Sequence, residues 1–157
     1  MSDNFKLQPI QNWLKKNNWF FYDHQLETLN QSINGYDILL IAPTGGGKTL
    51  AGFLPSLHDL INNNAPENKL HTLYISPLKA LTIDVHRNLT NPIEDQNLDI
   101  RVETRTGDTS SYKKNRQKNV PPHMLMTTPE SLALLLADIK AKEYFKSLRY
   151  LIIDEIH

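Results

Sequence analysis

Apolar residues recur along this chain in two patterns. One has the helical period: Leu7, Ile10, Trp13 and Leu14 predict a short opening helix. Leu26, Leu29 and Ile33 predict a second over about Asp23 to Asn34, stopped by Gly35. Leu50, Phe53, Leu54, Leu57 and Ile61 lie on one face of a third that ends near Asn62-Asn63-Asn64, and Leu81, Val85 and Leu89 mark a fourth. The other pattern is the short strand, predicted at Asp37 to Ala42, Thr72 to Ser76, Ile100 to Arg105, Met124 to Thr128 and Tyr150 to Ile153. A polar, helical segment is expected around Ser110 to Lys118. Pro129 opens a helix carrying Leu132, Leu135 and Leu136, and a short helix with Tyr144, Phe145 and Leu148 precedes the last strand. Strands and helices alternate five times, which predicts an α/β fold with a parallel sheet covered on both faces.

Composition narrows the function classes. At 157 residues with 39% hydrophobic and 22% charged, the chain is an ordinary globular domain or part of one. Its formal net charge is zero, so any contact with a polyanion must come from local loops and backbone amides. The absence of cysteine removes disulfides, thiol nucleophiles and cysteine-based zinc sites. No apolar run approaches membrane-spanning length, and the first residues lack the apolar core of a signal peptide, so the expected location is cytoplasmic with no membrane partner.

The candidate chemistry begins at Ala42-Pro43-Thr44-Gly45-Gly46-Gly47-Lys48-Thr49, between the apolar run Ile38-Leu39-Leu40-Ile41 and the third helix. Strand, glycine-rich loop and helix form the context of a phosphate-binding loop. The glycines let successive N–H groups turn inward around a phosphate, and the helix N-terminus adds unpaired N–H groups. Thr44, Gly45, Gly46 and Gly47 would line that cradle. Lys48 would reach the β and γ phosphates, and the Thr49 hydroxyl would take a Mg²⁺ position. Kinases, switches and motors all use such a loop.

The discriminating feature is Leu151-Ile152-Ile153-Asp154-Glu155-Ile156-His157, an apolar strand ending in adjacent carboxylates. It places Asp154 at the carboxyl edge of a parallel sheet, where ligands bind. Asp154 can there hold Mg²⁺, often through water, while Glu155 orients and deprotonates an attacking water.

Together these two elements resemble the Walker A and Walker B motifs of superfamily 2 helicases of the DExH type. Tyr74-Ile75-Ser76-Pro77-Leu78-Lys79-Ala80-Leu81, Arg105-Thr106-Gly107-Asp108-Thr109 and Thr127-Thr128-Pro129-Glu130-Ser131-Leu132 are similar to the large-helicase-related, Lhr-like branch, in the family's order from about Trp19 to His157. The Asp-Glu-Ile-His ending suits its main group; the ligase-associated group more often carries Trp at the position of Ile156.

The resemblance implies a RecA-like P-loop NTPase fold, with N-terminal helices and a Q-motif over residues 1–35 and a P-loop core, incomplete at its C-terminus, over 36–157. It implies ATP and Mg²⁺ as cofactors and Gln25 as the reader of the adenine edge. Pro77, Lys79, Thr106, Gly107 and Thr128 would touch a nucleic-acid backbone, DNA more than RNA, and His157 would couple hydrolysis to that contact. The activity implied is an ATP-dependent helicase or translocase linked to DNA repair. A non-catalytic nucleotide- or nucleic-acid-binding module and an inert truncation product remain the alternatives. The aromatics Trp19-Phe20-Phe21-Tyr22 are expected in helix packing and the Lys113–Lys118 run on a solvated helix face. His24, His71, His86 and His123 show no metal-ligand spacing.

In the family a further strand follows Walker B and inserts between the Walker A and Walker B strands, and a second RecA-like domain supplies arginine fingers. Without them the 157 residues are expected to be marginally folded and to hydrolyse ATP negligibly.

Overall fold

Every predicted helix forms, and four of the five predicted strands. The computed structural model describes residues 7–43, 45–63 and 65–155, so Thr44 and His157 lie outside the described residues. Packing divides the chain into two compact units, Met1–Asn64 with Asn91–Leu98, and Ala65–Thr90 with Asp99–His157. The phosphate loop groups with the N-terminal helices.

The first unit holds α1 (Gln8–Lys16), α2 (Asp23–Ile33) and α3 (Lys48–Asn62). Pro9 sits in the first turn of α1, where its missing N–H has no helical partner to lose, and Ile10 and Leu14 are buried one turn apart. Helix α2 packs on α3. Leu29 of α2 and Phe53, Leu54 and Leu57 of α3 are buried, as the helical period requires.

The strand expected over Asp37–Ala42 does not form. Residues 36–43 are irregular and pair with none of the described strands. Leu39 is 75% and Ile41 85% exposed. The run is apolar on both faces, as an interior parallel strand would be, but a strand exists only where its N–H and C=O groups meet a neighbouring ladder. The aromatic cluster also departs from expectation. Trp19, Phe20 and Tyr22 are exposed in the link between α1 and α2, and Trp19 makes an edge contact with Trp13 at 5.4 Å between ring centroids.

The second unit is built on a parallel sheet of β1 (Thr72–Ile75), β2 (Val102–Arg105), β3 (Met124–Thr127) and β4 (Tyr150–Ile153), in the order β2-β3-β1-β4. The connections run through α4 (Lys79–Asp95), α5 (Ser111–Asn119), α6 (Pro129–Leu136) and α7 (Ala141–Tyr144). The core joins Leu70, Leu73, Leu125 and Leu135, with Ile75, Leu132, Phe145 and Leu148 packed against it. Central β3 is buried throughout, whereas edge strand β4 leaves Leu151 and Ile153 exposed. Because all four strands are parallel, their carboxyl ends share one edge.

Helix α5 is fastened to β2 by side chains. Arg116 forks onto Glu103, with Nη1 to Oε1 at 2.9 Å and Nη2 to Oε2 at 2.6 Å, and Gln117 Nε2 adds a bond at 2.9 Å. Burial alone would raise the Glu103 pKa, but these hydrogen bonds outweigh it and hold the carboxyl below its ordinary range. The basic run is thus partly structural: Gln117 is buried, and Lys118 pairs with Asp138. Among the described residues no helix is long and apolar enough to cross a membrane.

Candidate functional site

The sequence-predicted residues fall into two groups, one in each unit. In the first, the loop before α3 takes its shape from backbone conformations that favour glycine. Gly45 has φ +80° and Gly47 φ +70°, both in the left-handed region. At Gly47 the space is also taken, since a Cβ would lie 2.5 Å from Gln25 Nε2 and 3.1 Å from the Tyr22 ring. At Gly45 a Cβ would meet nothing, so that side of the loop is open. Lys48 folds back across the loop, donating to the Ala42 carbonyl at 2.6 Å and the Pro43 carbonyl at 3.1 Å. Thr49 follows on the first turn of α3, exposed.

Gln25 is placed against this loop. Its Oε1 accepts from the Tyr22 N–H at 2.9 Å, and its Nε2 donates to the Gly47 carbonyl at 3.0 Å. The residue is 2% exposed, so its amide braces the phosphate loop and caps α2 at once. One donor and one acceptor site of the amide stay outside these two bonds.

In the second unit the predicted loops follow the sheet order along its carboxyl edge: Thr106-Gly107 after β2, Thr128 after β3, Pro77 and Lys79 after β1, and Asp154-Glu155 after β4. Pro77, Lys79 and Gly107 are exposed. Thr106 and Thr128 are 5% and 6% exposed, and the Thr106 backbone and the Thr128 hydroxyl already have partners. The Thr106 N–H donates to Thr109 Oγ1 at 2.9 Å, and the Thr109 N–H returns to the Thr106 carbonyl at 3.2 Å, closing a tight turn. The Thr128 hydroxyl caps α6 by accepting from the Ser131 N–H. Lys114 Nζ donates to the Gly107 carbonyl at 2.9 Å, and Lys79 pairs with Asp108 across two of the loops.

Asp154 is held on three sides. Its N–H donates to the Ile75 carbonyl at 2.9 Å, its Oδ1 accepts from the Glu155 N–H at 3.0 Å, and its Oδ2 accepts from the Tyr74 hydroxyl at 2.8 Å. Burial, and then the carboxylate beside it, push the Tyr74 phenol well above the ordinary tyrosine range, so it stays a donor. Tyr74 was not singled out from the sequence. The signal was present: a tyrosine inside a buried strand needs a partner for its hydroxyl. Glu155 takes a left-handed backbone, φ +54°.

Hard oxygen donors suit Mg²⁺, which is commonly bound through one or two carboxylates plus phosphate oxygens, and Asp154 and the Thr49 hydroxyl are such donors. Among the described residues no group of three or more His, Cys, Asp or Glu is arranged to hold a metal by itself. Three histidines have structural partners: His86 Nε2 donates to the Val102 carbonyl at 3.0 Å, His123 Nδ1 accepts from the Arg101 N–H at 3.0 Å, and His71 Nδ1 lies 2.8 Å from Thr72 Oγ1.

Residues 22–157 match the model of the DEAD/DEAH box helicases. The chain belongs to that family. Within it, the chain is similar to the ATP-dependent helicase Lhr-Core of Methanocaldococcus jannaschii, 37% identical over 163 residues that cover 96% of this chain and 19% of the relative. It is also similar to the Lhr helicase/uracil glycosylase of Escherichia coli, 37% identical over 85% of this chain and 10% of the relative. Among solved structures, the Mycobacterium smegmatis helicase Lhr bound to ssDNA and AMP-PNP superposes with a TM-score of 0.83 at 36% identity, covering 99% of this chain and 21% of that one. The DEAD/DEAH box chain thus spans about a fifth or less of the length of these relatives. The Lhr-like resemblance and the RecA-like parallel fold read from the sequence both hold.

Proposed function

We propose that this chain forms the ATP- and nucleic-acid-binding part of the first motor domain of an ATP-dependent helicase or translocase acting on DNA. The carrying observation is the order of the loops on one sheet edge: Gly107, Thr128, Pro77 with Lys79, then the Asp154-Glu155 carboxylates. A strand of nucleic acid tracking that edge would run toward the residues that handle the phosphoryl group.

In this reading the amides of Gly45, Gly46 and Gly47, with Thr44, cradle the triphosphate. Lys48 exchanges the Ala42 and Pro43 carbonyls for the β and γ phosphate oxygens. Thr49 and Asp154 hold Mg²⁺, which supplies neutralisation of the charge that builds on the transferred phosphoryl group. Glu155 orients the attacking water and takes its proton. Gln25 reads the adenine edge while bracing Gly47, and His157 couples the two ligands. Arginines from a second RecA-like domain would complete the site. The preference for DNA is supported by the M. smegmatis neighbour, which was solved with ssDNA. A link to DNA repair rests on family resemblance.

The test is ATP hydrolysis by the full-length protein with single-stranded DNA, with RNA and with neither. Hydrolysis stimulated most by DNA is expected. Hydrolysis that ignores nucleic acid, or none in any condition, would refute the motor assignment.

Two substitutions probe the nucleic-acid face. Gly107 needs no special backbone angle, and a Cβ there would meet nothing within 4 Å. Gly107→Ala should therefore leave the melting temperature unchanged yet weaken single-strand binding by about tenfold, because a backbone brought close to phosphates has no room for the methyl group. Unaltered affinity in a binding titration would remove Gly107 from the interface. Asp108 occupies Lys79, so a phosphate must replace it. Lys79→Ala should weaken binding at low salt and make the slope of log K against log salt shallower by about 0.7, the loss of one single-strand phosphate contact. An unchanged slope would mean that Lys79 does not face phosphate.

A further inference from the structure

The sheet places a β1 side chain on the carboxylate that follows β4. Tyr74 is the third residue of β1 and pairs in register with Ile152 of β4 and Met126 of β3. Side chains alternate along a strand, so Asp154, two residues beyond Ile152, comes up on the same face as Tyr74. The phenol is 1% exposed, and its hydroxyl donates to Asp154 Oδ2 at 2.8 Å. With Oδ1 taken by the Glu155 N–H, both carboxylate oxygens have a fixed donor and the side chain is restricted in rotation. β1 ends one residue after Tyr74, at Ile75, and Pro77 and Leu78 then lead into Lys79, the first residue of α4.

We propose that Tyr74 is a positioning residue: its hydroxyl orients the Asp154 carboxylate toward the divalent metal and ties that orientation to the strand that carries the Lys79 loop. The inference rests on the reading of Asp154 as the metal-side carboxylate. Outer partners of this kind set the direction of a metal-binding oxygen, and their loss weakens the metal rather than the fold. Movement of β1 when its loop is occupied would be felt at Asp154 through this bond.

The test is Tyr74→Phe in the full-length protein, with Mn²⁺ binding in the presence of ADP read by electron paramagnetic resonance and ATP hydrolysis read against Mg²⁺ concentration. Mn²⁺ should bind about tenfold more weakly, and the half-saturating Mg²⁺ should rise in proportion, with maximal rate largely recovered at high Mg²⁺. A merely structural role would lower the melting temperature without a loss that magnesium restores. Unchanged Mn²⁺ affinity overturns the proposal. Asp154→Asn separates the two readings: if it leaves Mn²⁺ binding intact, Asp154 is not on the metal; if it abolishes binding while Tyr74→Phe does not alter it, Tyr74 alone is wrongly assigned. Should Tyr74→Phe fail to fold, 3-fluorotyrosine at position 74 keeps the hydroxyl and reports directly. Its ¹⁹F resonance should shift on addition of Mg²⁺ and ADP beyond the change given by ADP alone, and a resonance indifferent to Mg²⁺ overturns the proposal.

Discussion

Glutamine in place of Glu155 should stop ATP turnover, lowering kcat by about 10³ or more, while nucleotide still binds. The amide has nearly the shape of the carboxylate but cannot accept the proton of the attacking water. The backbone bond from residue 155 to Asp154 Oδ1 does not depend on the side chain, so Asp154 keeps that partner. The loss should therefore lie in the chemical step. Equilibrium binding of a fluorescent ATP analogue should be within a few-fold of wild type, and a single-turnover assay should show bound ATP persisting. Hydrolysis at the wild-type rate would show that another group activates the water.

Alanine at Lys48 should fail earlier, at binding and chemistry together. Lys48 is the cation of the phosphate loop, and its ammonium now rests on the Ala42 and Pro43 carbonyls, poised over the loop that would hold the triphosphate. Removing a charged donor from developing phosphoryl charge costs about 10²–10³ in rate, and loss of the β and γ contacts weakens binding as well. The same change strips two loop carbonyls of their donor, so Ala42 and Pro43 should also lose order. Isothermal titration with ATP and a steady-state assay should show both effects. Tight ATP binding by Lys48→Ala would move the phosphate site elsewhere.

Much of this was legible from spacing alone. Tyr150–Ile153 was bounded to the residue, and α2 from Asp23 to within one residue of its end, because each carries its period and its stop signals locally. The run Ile38–Ile41 has the same local quality and formed no strand, since a ladder depends on a partner that no window of sequence contains. The exposed Trp19, Phe20 and Tyr22 show the same limit: hydrophobicity states a preference for burial without naming what will cover the ring.

The site divides along similar lines. Positions whose backbone favours glycine, such as Gly45 and Gly47, could be read from motif and flanks. Those whose role depends on where a side chain turns could not. Thr128 spends its hydroxyl on a helix cap, and Gln25 turns both ends of its amide onto protein groups. Tyr74 reaches a carboxylate 80 positions away, a contact fixed by strand register.

The pairing of Lys79 with Asp108 has a consequence for any cycle of grip and release on that edge. If Lys79 meets phosphate as proposed, a phosphodiester arriving there would substitute one anion for another on the same ammonium, and a departing one would hand it back. Neither step strands a bare cation in front of the loops, so the two loops can keep their shape through both. Hold and slip would then differ by which acid is touched, a small energy gap well suited to a ratchet that must let go as readily as it catches.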